Sequence, residues 1–298
     1  MAIRSIAPLK SKTALAKQLG VSRQSLYYQL KLPKKDFKLK NKIKKVMSEN
    51  KAYGHKRIAI DLKINKKRIL RVMKLFNLKP QRKRKKPQKP KDLNQPQLSI
   101  SNLIQKTVIN KLNQVWVSDF TYLPFYGRFV YLATLEDVYS RQIVGWAVSI
   151  KHNANLVTEA LLNGLSRYPV PEIIHCDQGS ENRSQSYLNI IKSYDIKISM
   201  SKKASPWENG YKESFYSRFK FEFGHPEAYL TLGELIEAIA RQIHYYNHKR
   251  IHTALKCPPA VFAQRINLQK LIKIKKITKV KINKSLLTNQ EVKERLFV

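Results

Sequence analysis

The amino-acid sequence predicts an α/β fold, in which helices pack against a mixed sheet and small all-helical modules precede it. From Val115 onward, strand-like segments rich in Val, Ile, Phe, Tyr and Trp alternate with segments of helical periodicity. Before that point the periodic segments are helical and short. The charge changes along with the pattern: residues 1–95 contain 30 Lys and Arg against 4 Asp and Glu, whereas residues 96–264 contain 18 against 14. A near-neutral core therefore follows a strongly basic arm.

The overall composition restricts the partners and the compartment. The 298 residues carry a formal net charge of +38, which makes polyanions the natural partner. No apolar run is long enough to span a membrane, and the N-terminal residues lack the pattern of a signal peptide. Cys176 and Cys257 lie far apart and indicate neither a disulfide framework nor a zinc finger. We therefore expect a cytoplasmic protein without a membrane partner.

Shifts in composition also predict domain boundaries. The run KPQRKRKKPQKPKDLNQPQ, Lys79 to Gln97, combines prolines with like charges and predicts an extended linker, compatible with phosphate contacts. We predict five regions: a helix-turn-helix at 1–35, a second helix-turn-helix-like module at 36–80, a basic proline-rich linker at 81–110, a catalytic core at 111–265 and a basic tail at 266–298.

The first module has the pattern of two short helices around a turn. Ala14, Leu15 and Leu19 form an apolar stripe, Gly20 lies at the turn, and Ser22 is a candidate cap for the next helix. In a helix-turn-helix, side chains near the start of the second helix reach the bases of DNA. Those candidate DNA-binding residues are Arg23, Gln24 and Ser25.

The second module predicts three helices, around Ile43–Met47, Lys56–Leu62 and Lys67–Phe76, with a break at Gly54. Their apolar positions suffice for a small three-helix core. Neither module carries a pattern that indicates catalysis.

The core region predicts the element order β-β-β-α-β-α-β-α-α. Three strands run through VWVSDFTYL, GRFVYLATLEDVYS and RQIVGWAVSI, with turns near Tyr126-Gly127 and residues 139–141. A helix at 153–168, a short strand ending near Asp177, a helix at 186–194 and a strand at 196–200 follow. Two helices, at about 208–221 and at 232–246, complete a mixed sheet with helices against it.

Acidic residues at three of these elements are candidate ligands of divalent cations. Asp119 lies inside an otherwise apolar strand, where a paired buried acid or a cap is the alternative interpretation. Asp177 follows a buried strand, although Asp before Gln-Gly is also ordinary in turns. Together with a glutamate from a facing helix, they suit two Mg²⁺ or Mn²⁺ ions and phosphoryl transfer.

Two glutamates compete for the third position in SPWENGYKESF. Five residues correspond to a rotation of about 500°, so Glu208 and Glu213 point about 140° apart and cannot both face one metal pair. Glu208 lies close to the expected helix start, where a negative charge is favourable.

Several motifs in order resemble the DDE transposases of bacterial insertion sequences. They are WVSDFTY, YLATLEDVYSRQIVGWAVS, IIHCDQGSEN, ISMSKKASPWENGYKESFYSRFKFE and YYNHKRIHTALKCPPAVF. The nearest resemblance is to the second-frame product of the insertion-sequence-three family, over about Val115–Gln264. It implies a ribonuclease-H-like integrase core with a five-stranded mixed sheet, and metal-dependent DNA cleavage followed by strand transfer. The chain departs from the family pattern at Glu208-Asn209-Gly210 and at Cys176, but not at the acids.

The resemblance assigns the site residue by residue. The catalytic and metal-binding triad implied is Asp119, Asp177 and Glu213, with 35 residues between the last two as in the family. Two Mg²⁺ or Mn²⁺ ions are the implied cofactors. Residues implied near the site or the DNA are His175, Gln178, Gly179, Asn209, Ser217 and Lys220. The motif with Tyr246, Asn247, Arg250 and His252 is either structural or functional.

The resemblance also implies partners: double-stranded DNA at the element ends and at the target, further copies of the chain on that DNA, and a first-frame product. No leucine-zipper heptads occur, so the chain either needs that product or works as part of a fusion. A bacterial, nucleoid-associated location is implied. The basic tail is either a small β element or an amphipathic extension.

Two other functions remain open on the sequence. One is a DNA-binding regulator or degenerate transposase fragment without catalysis, and the other is a nuclease such as a ribonuclease H. An aspartate inside a hydrophobic strand favours the transposase, because folding alone would not select that residue there.

Overall fold

The computed structural model describes residues 11–27, 31–81, 100–201 and 210–272. The chain divides into two compact units, residues 1–81 and residues 82–298, and each is described by itself.

The first unit begins with helix α1, Lys12–Gln18, whose N-terminus is capped by the Ser11 hydroxyl. The predicted second helix of this module is present only as a 3₁₀ turn, Arg23–Tyr27, so this prediction is corrected for the described residues. The Ser22 hydroxyl accepts a hydrogen bond from the Ser25 amide at 3.2 Å, and the Ser22 carbonyl accepts one from the same amide. These bonds favour a tight turn over a regular helix.

Helix α2, Lys31–Glu49, is much longer than the predicted Ile43–Met47 segment. Leu39, Ile43 and Val46 follow at helical spacing and are buried. Pro33 lies in the first turn, where its missing amide costs nothing. The helix runs unbroken past residues 35 and 36, where composition places a boundary.

Helices α3, His55–Asp61, and α4, Lys66–Leu75, complete this unit and match the prediction closely. The Asn65 side chain caps α4 by accepting from the Lys67 amide at 2.8 Å. Asp36 on α2 is buried and pairs with Arg71 on α4 at 2.6 Å, which joins the two helices.

The second unit contains the predicted five-stranded mixed sheet. Its strands are β1, Val115–Phe125, β2, Arg128–Asp137, β3, Ile143–Ser149, β4, Ile173–Cys176, and β5, Lys197–Met200. Their order in the sheet is β3-β2-β1-β4-β5, with β1, β2 and β3 antiparallel and β4 and β5 parallel to β1. This arrangement confirms the ribonuclease-H-like fold class.

A two-residue turn joins β1 to β2. Phe125 pairs with Arg128, and both Tyr126 and Gly127 have positive φ, 43° and 73°. Such a turn matches the twist of a hairpin, and glycine adopts the second position without steric cost.

Helices cover both faces of the sheet. Their bounds are α5, Ala154–Leu165, α6, Gln185–Ser193, α7, Gly210–Phe223, α8, Leu232–His248, and α9 over 259–272. Trp116 centres the core on the α5 and α6 side, whereas Leu132 and Phe215 belong to the core on the α7 and α8 side. Sequence analysis missed α9, which continues past the expected start of the tail at residue 266.

Residues 100–110 belong to this unit rather than to an extended linker. Leu103, Ile104 and Ile109 pack against the sheet, and the Leu103 amide donates to the Ser199 hydroxyl at 2.8 Å. The linker was predicted too long because the basic and proline-rich residues before position 100 dominated the composition of this region.

Two residues of the motif with Tyr246, Asn247, Arg250 and His252 make contacts that hold parts of the second unit together. The Asn247 side chain exchanges two hydrogen bonds of 2.9 Å with the backbone of Ile143 on β3. Arg250 is buried and binds both carboxylate oxygens of Glu222 at the end of α7. These contacts favour the structural alternative for Asn247 and Arg250.

No described helix is sufficiently long and apolar to cross a bilayer.

We predict that Arg250→Met destabilises the second unit by about 3–5 kcal/mol, because Glu222 would keep a largely buried charge without its partner. The measurement is urea unfolding followed by tryptophan fluorescence, since all three tryptophans lie in this unit. The control is Arg241→Met, which removes an exposed pair with Glu237 and should cost about 0.5 kcal/mol or less. Equal effects of the two variants would contradict the prediction.

Candidate active site

One of the predicted aspartates lies on β1, and another follows the parallel neighbouring strand directly. Strand β4 pairs with β1 so that His175 faces Val117. Asp177 comes immediately after β4, which ends at Cys176, and its negative charge contributes to raising the pKa of Asp119. Because neighbouring strands are about 4.8 Å apart, the two aspartates are within reach of a shared cation.

The surroundings of the Asp119 side chain disfavour its ionised form. Burial raises its pKa to about 7, and the negative charges of Asp177 and Glu213 contribute to that rise. The Lys212 ammonium and a 2.8 Å hydrogen bond from the Phe120 amide oppose it. A cation bound beside Asp119 would favour the ionised form of this carboxyl and so would be stabilising there.

Asp177 is held in one orientation by two donors. Its Oδ1 accepts from the Gly179 amide at 3.1 Å and from Nδ2 of Asn182 at 2.8 Å. A Cβ on Gly179 would lie 3.0 Å from that oxygen, so glycine permits the close approach. Asn182 is buried, and sequence reasoning missed it; a polar residue five positions after the aspartate was its only signal.

Glu213 is exposed in the first turn of α7, and side chains on either side of it attach this helix to the sheet. Lys212 is fully buried and donates from Nζ to the carbonyl and the hydroxyl of Thr134 at 2.8 and 2.9 Å. The Tyr216 hydroxyl donates to the Asp119 carbonyl at 2.6 Å. Thr134 pairs with Asp119 across β1 and β2, so both contacts anchor α7 at the aspartate.

Lys212 also links the site to a buried acid beneath it. Burial lowers the pKa of Lys212, whereas the charges of Glu136 and Asp119 raise it. Burial raises the pKa of Glu136 to about 7, and Lys212 and Arg141 oppose that rise. Sequence reasoning missed this network, although a glutamate inside the apolar strand β2 signalled it.

The three candidate carboxylates suit hard divalent cations, but they are arranged as pairs and not as a single cluster. Within the described ranges, no three His, Cys, Asp or Glu side chains converge on a point that suits a metal ion. The pairs Asp119–Asp177 and Asp119–Glu213 interact electrostatically instead. Carboxylate oxygens are the donors that Mg²⁺ and Mn²⁺ prefer.

The remaining predicted residues fall in three places. Gln178 follows Asp177, and its buried Oε1 has no protein partner. Ser217 and Lys220 lie on α7 after Glu213, and Lys220 Nζ is 4.6 Å from the centre of the Tyr122 ring. Asn209 and Glu208 lie outside the described residues. Arg23, Gln24 and Ser25 are exposed in the 3₁₀ turn of the first unit.

Comparison with known proteins matches the second unit to two families that share one description. A family described as "Integrase core domain" matches residues 110–206, and a second family with the same description matches residues 194–259.

Curated relatives match most of the chain. The transposase for insertion sequence element IS904 of Lactococcus lactis subsp. lactis (strain IL1403) is 35% identical over 230 residues, 73% of this chain and 89% of the relative. The putative transposase InsK for insertion sequence element IS150 of Escherichia coli (strain K12) is 29% identical over 267 residues, 85% and 92% of the two chains. Among solved structures, the HTLV-2 integrase catalytic core domain in complex with magnesium is 20% identical, with a TM-score of 0.43 over 51% of this chain and 96% of that chain.

We predict that Asp119→Asn stabilises the protein at pH 8 in divalent-free buffer, because it removes a buried, repelled charge. An acid whose pKa is raised in the folded state costs stability as the pH rises from its ordinary value through about 7. The gain in Tm over the unsubstituted protein should therefore be largest above pH 7 and vanish near pH 4. Calorimetric scans across this range measure it.

The control for this pH series is Asp195→Asn, an exposed aspartate with positive φ that asparagine adopts equally well. It should show little pH-dependent gain. Added Mn²⁺ should raise the Tm of the unsubstituted protein more than that of Asp119→Asn. A gain that is independent of pH would contradict the electrostatic account.

We further predict that Lys212→Met costs about 2–4 kcal/mol, since it leaves the Thr134 carbonyl without its buried donor and Glu136 without a neighbouring cation. Adding Glu136→Gln should recover part of that loss. A double-mutant cycle from urea unfolding measures the coupling, and strictly additive effects would show that the two groups do not interact.

Proposed function

The chain belongs to the insertion-sequence transposases of the insertion-sequence-three family, which are polynucleotidyl transferases with an integrase core, and on that premise we propose that Asp119, Asp177 and Glu213 form its catalytic triad. The observation that carries the proposal is the effect of the Asp177 and Glu213 charges on the pKa of Asp119, next to the parallel pairing of β1 and β4. The contacts of Lys212 and Tyr216 support the addition of Glu213 from α7.

Each carboxylate has a distinct part in this proposal. Asp119 would help to hold both cations, because both other carboxylates interact with it. Asp177 would offer Oδ2 to a cation, since Oδ1 already accepts from Gly179 and Asn182. Glu213 would add the third carboxylate from α7. Two bound Mg²⁺ or Mn²⁺ ions would supply activation of the nucleophile and neutralisation of the leaving oxygen.

The reaction supported by this arrangement has two phosphoryl transfers. A water oxygen bonds to the phosphorus at the element end, the bond from phosphorus to the 3′-oxygen breaks, and that oxygen leaves as a 3′-hydroxyl. The freed 3′-oxygen then bonds to a phosphorus of the target and loses its proton, while the target's own 3′-oxygen leaves and is protonated. The carboxylates orient both steps, and no redox partner is needed.

The charge distribution supports DNA as the partner of both units. The strongly basic first 95 residues can bind phosphates of the element ends, and Arg23, Gln24 and Ser25 are proposed for base contacts. Near the triad, Gln178, Asn209, Ser217 and Lys220 are proposed to contact the substrate strand. Assembly of several copies on DNA, together with a first-frame partner or a fusion to it, belongs to the same proposal, as does the division of the chain into basic helical modules, a catalytic core and a basic tail.

We predict that Asp177→Asn and Glu213→Gln each reduce strand transfer by about 10²–10³-fold or more, because each removes a charge that the reaction requires. The assay joins pre-cleaved ends of the element that carries this gene to plasmid DNA in Mn²⁺. Glu208→Gln is the matched control, five residues from Glu213, and should retain most of the activity. Equal activity of Asp177→Asn and the unsubstituted protein would contradict the mechanism.

The same preparations distinguish a nuclease from a transposase. Cleavage of an RNA–DNA hybrid without any joining of DNA would favour the ribonuclease interpretation.

A further inference from the structure

The β1–β2 hairpin exposes two aromatic rings that belong to no described core cluster. Tyr122 is 54% exposed and Phe129 is 49% exposed. Their rings meet edge to face, with centroids 5.1 Å apart. Large aromatic side chains that contact each other while half of their surface faces solvent are typical of binding surfaces.

The surroundings of these rings are cationic. Lys220 Nζ lies 4.6 Å from the centre of the Tyr122 ring. Arg128 is exposed at the start of β2, and residues 120–131 contain no acidic residue. Aromatic rings beside cations, without carboxylates in the same hairpin, suit a planar ligand that carries negative charge.

The rings also lie close to the triad in the covalent structure. Tyr122 follows Asp119 by three residues on β1, so the two side chains start from opposite faces of the strand. Lys220 makes the connection instead: it contacts the Tyr122 ring, and it follows Glu213 by seven residues on α7, about 10 Å along the same helical face. A strand of DNA whose phosphate lies at the carboxylates can therefore reach Lys220, with the rings beside it, within one or two nucleotides.

We propose that Tyr122 and Phe129 form a stacking site for an unpaired DNA base next to the phosphate that reacts, with Lys220 against the neighbouring phosphate. This inference rests on the proposed transposase function and extends it: the protein would bind a frayed or displaced strand rather than only a closed duplex. Aromatic stacking of this kind tolerates any base, because every base presents a π face.

A protein partner fits these rings less well. A stable protein interface buries about 800 Å² on each partner, much more than two half-exposed rings supply. The cations at the edge of the patch favour nucleic acid, and Lys220 connects the patch with the helix that carries Glu213.

The test uses a short single-stranded oligonucleotide containing 2-aminopurine, whose fluorescence falls when the base stacks on an aromatic ring. All variants carry Glu213→Gln and the buffer contains no divalent ions, so no chemistry occurs. Tyr122→Val with Phe129→Val removes both rings while keeping good strand formers. Tyr122→Phe keeps the ring, and Tyr194→Val removes a comparably exposed tyrosine elsewhere.

We expect the double valine variant to lose the quenching and to bind the single strand about tenfold more weakly, or weaker still. Tyr122→Phe and Tyr194→Val should behave as their parent. The dependence of affinity on salt should stay unchanged in the valine variant, because rings release no counterions, whereas Lys220→Met should reduce its slope by about 0.7. Thermal scans confirm that each variant is folded.

Unchanged quenching and affinity in the folded double valine variant would overturn the inference. The same holds if that variant changes only self-association, which sedimentation measures, since the rings would then serve contacts between copies. These readouts require no catalysis, so they are separable from the strand-transfer assay: loss of joining activity in Asp177→Asn decides the mechanism, and base stacking decides this site.

Discussion

The Lys212 ammonium is buried beneath the candidate active site, and its need for partners determines where helix α7 lies. A buried cation without hydrogen bonds and opposite charge would be very costly. Lys212 meets this need by donating to Thr134 on β2 and by lying near Glu136 and Asp119. Because Glu213 is the next residue, the contacts that satisfy the lysine also bring this glutamate to the strand that carries Asp119.

The same cation explains how a cluster of carboxylates persists in a folded protein. Burial, together with neighbouring negative charges, disfavours the ionised carboxylates, which is expressed in the raised pKa values of Asp119 and Glu136. A fixed ammonium offsets part of that cost from within the protein. It does so from the interior side, through Thr134 and Glu136, and so does not occupy the exposed side where Glu213 lies. The site therefore retains a demand for positive charge that divalent ions can meet.

Local pattern was sufficient for the strands of the sheet and singled out the candidate acids, but it missed α9 and the residues that hold the acids in place. The strands of the sheet and the positions of Asp119, Asp177 and Glu213 follow from alternation, strand ends and motif spacing. Lys212 and Asn182 escaped notice because a lysine beside a glutamate and an asparagine in a loop are ordinary surface residues in sequence. Their roles arise from contacts across 78 positions for Lys212 and through a tight turn for Asn182. Helix α2 was underestimated for the same reason: Asp36, among many lysines, is a core residue only because Arg71 meets it.

The three candidate carboxylates are supported in two different ways. Asp119 lies on β1 and Asp177 directly follows β4, and these strands are joined by a parallel ladder just before the two acids. A ladder cannot shift by one residue without turning every side chain to the other face. Glu213 depends on side-chain contacts of one helix, and that helix is itself held at its far end by the Arg250–Glu222 pair. The candidate site therefore combines two acids attached to the sheet with a third on an element attached at two points.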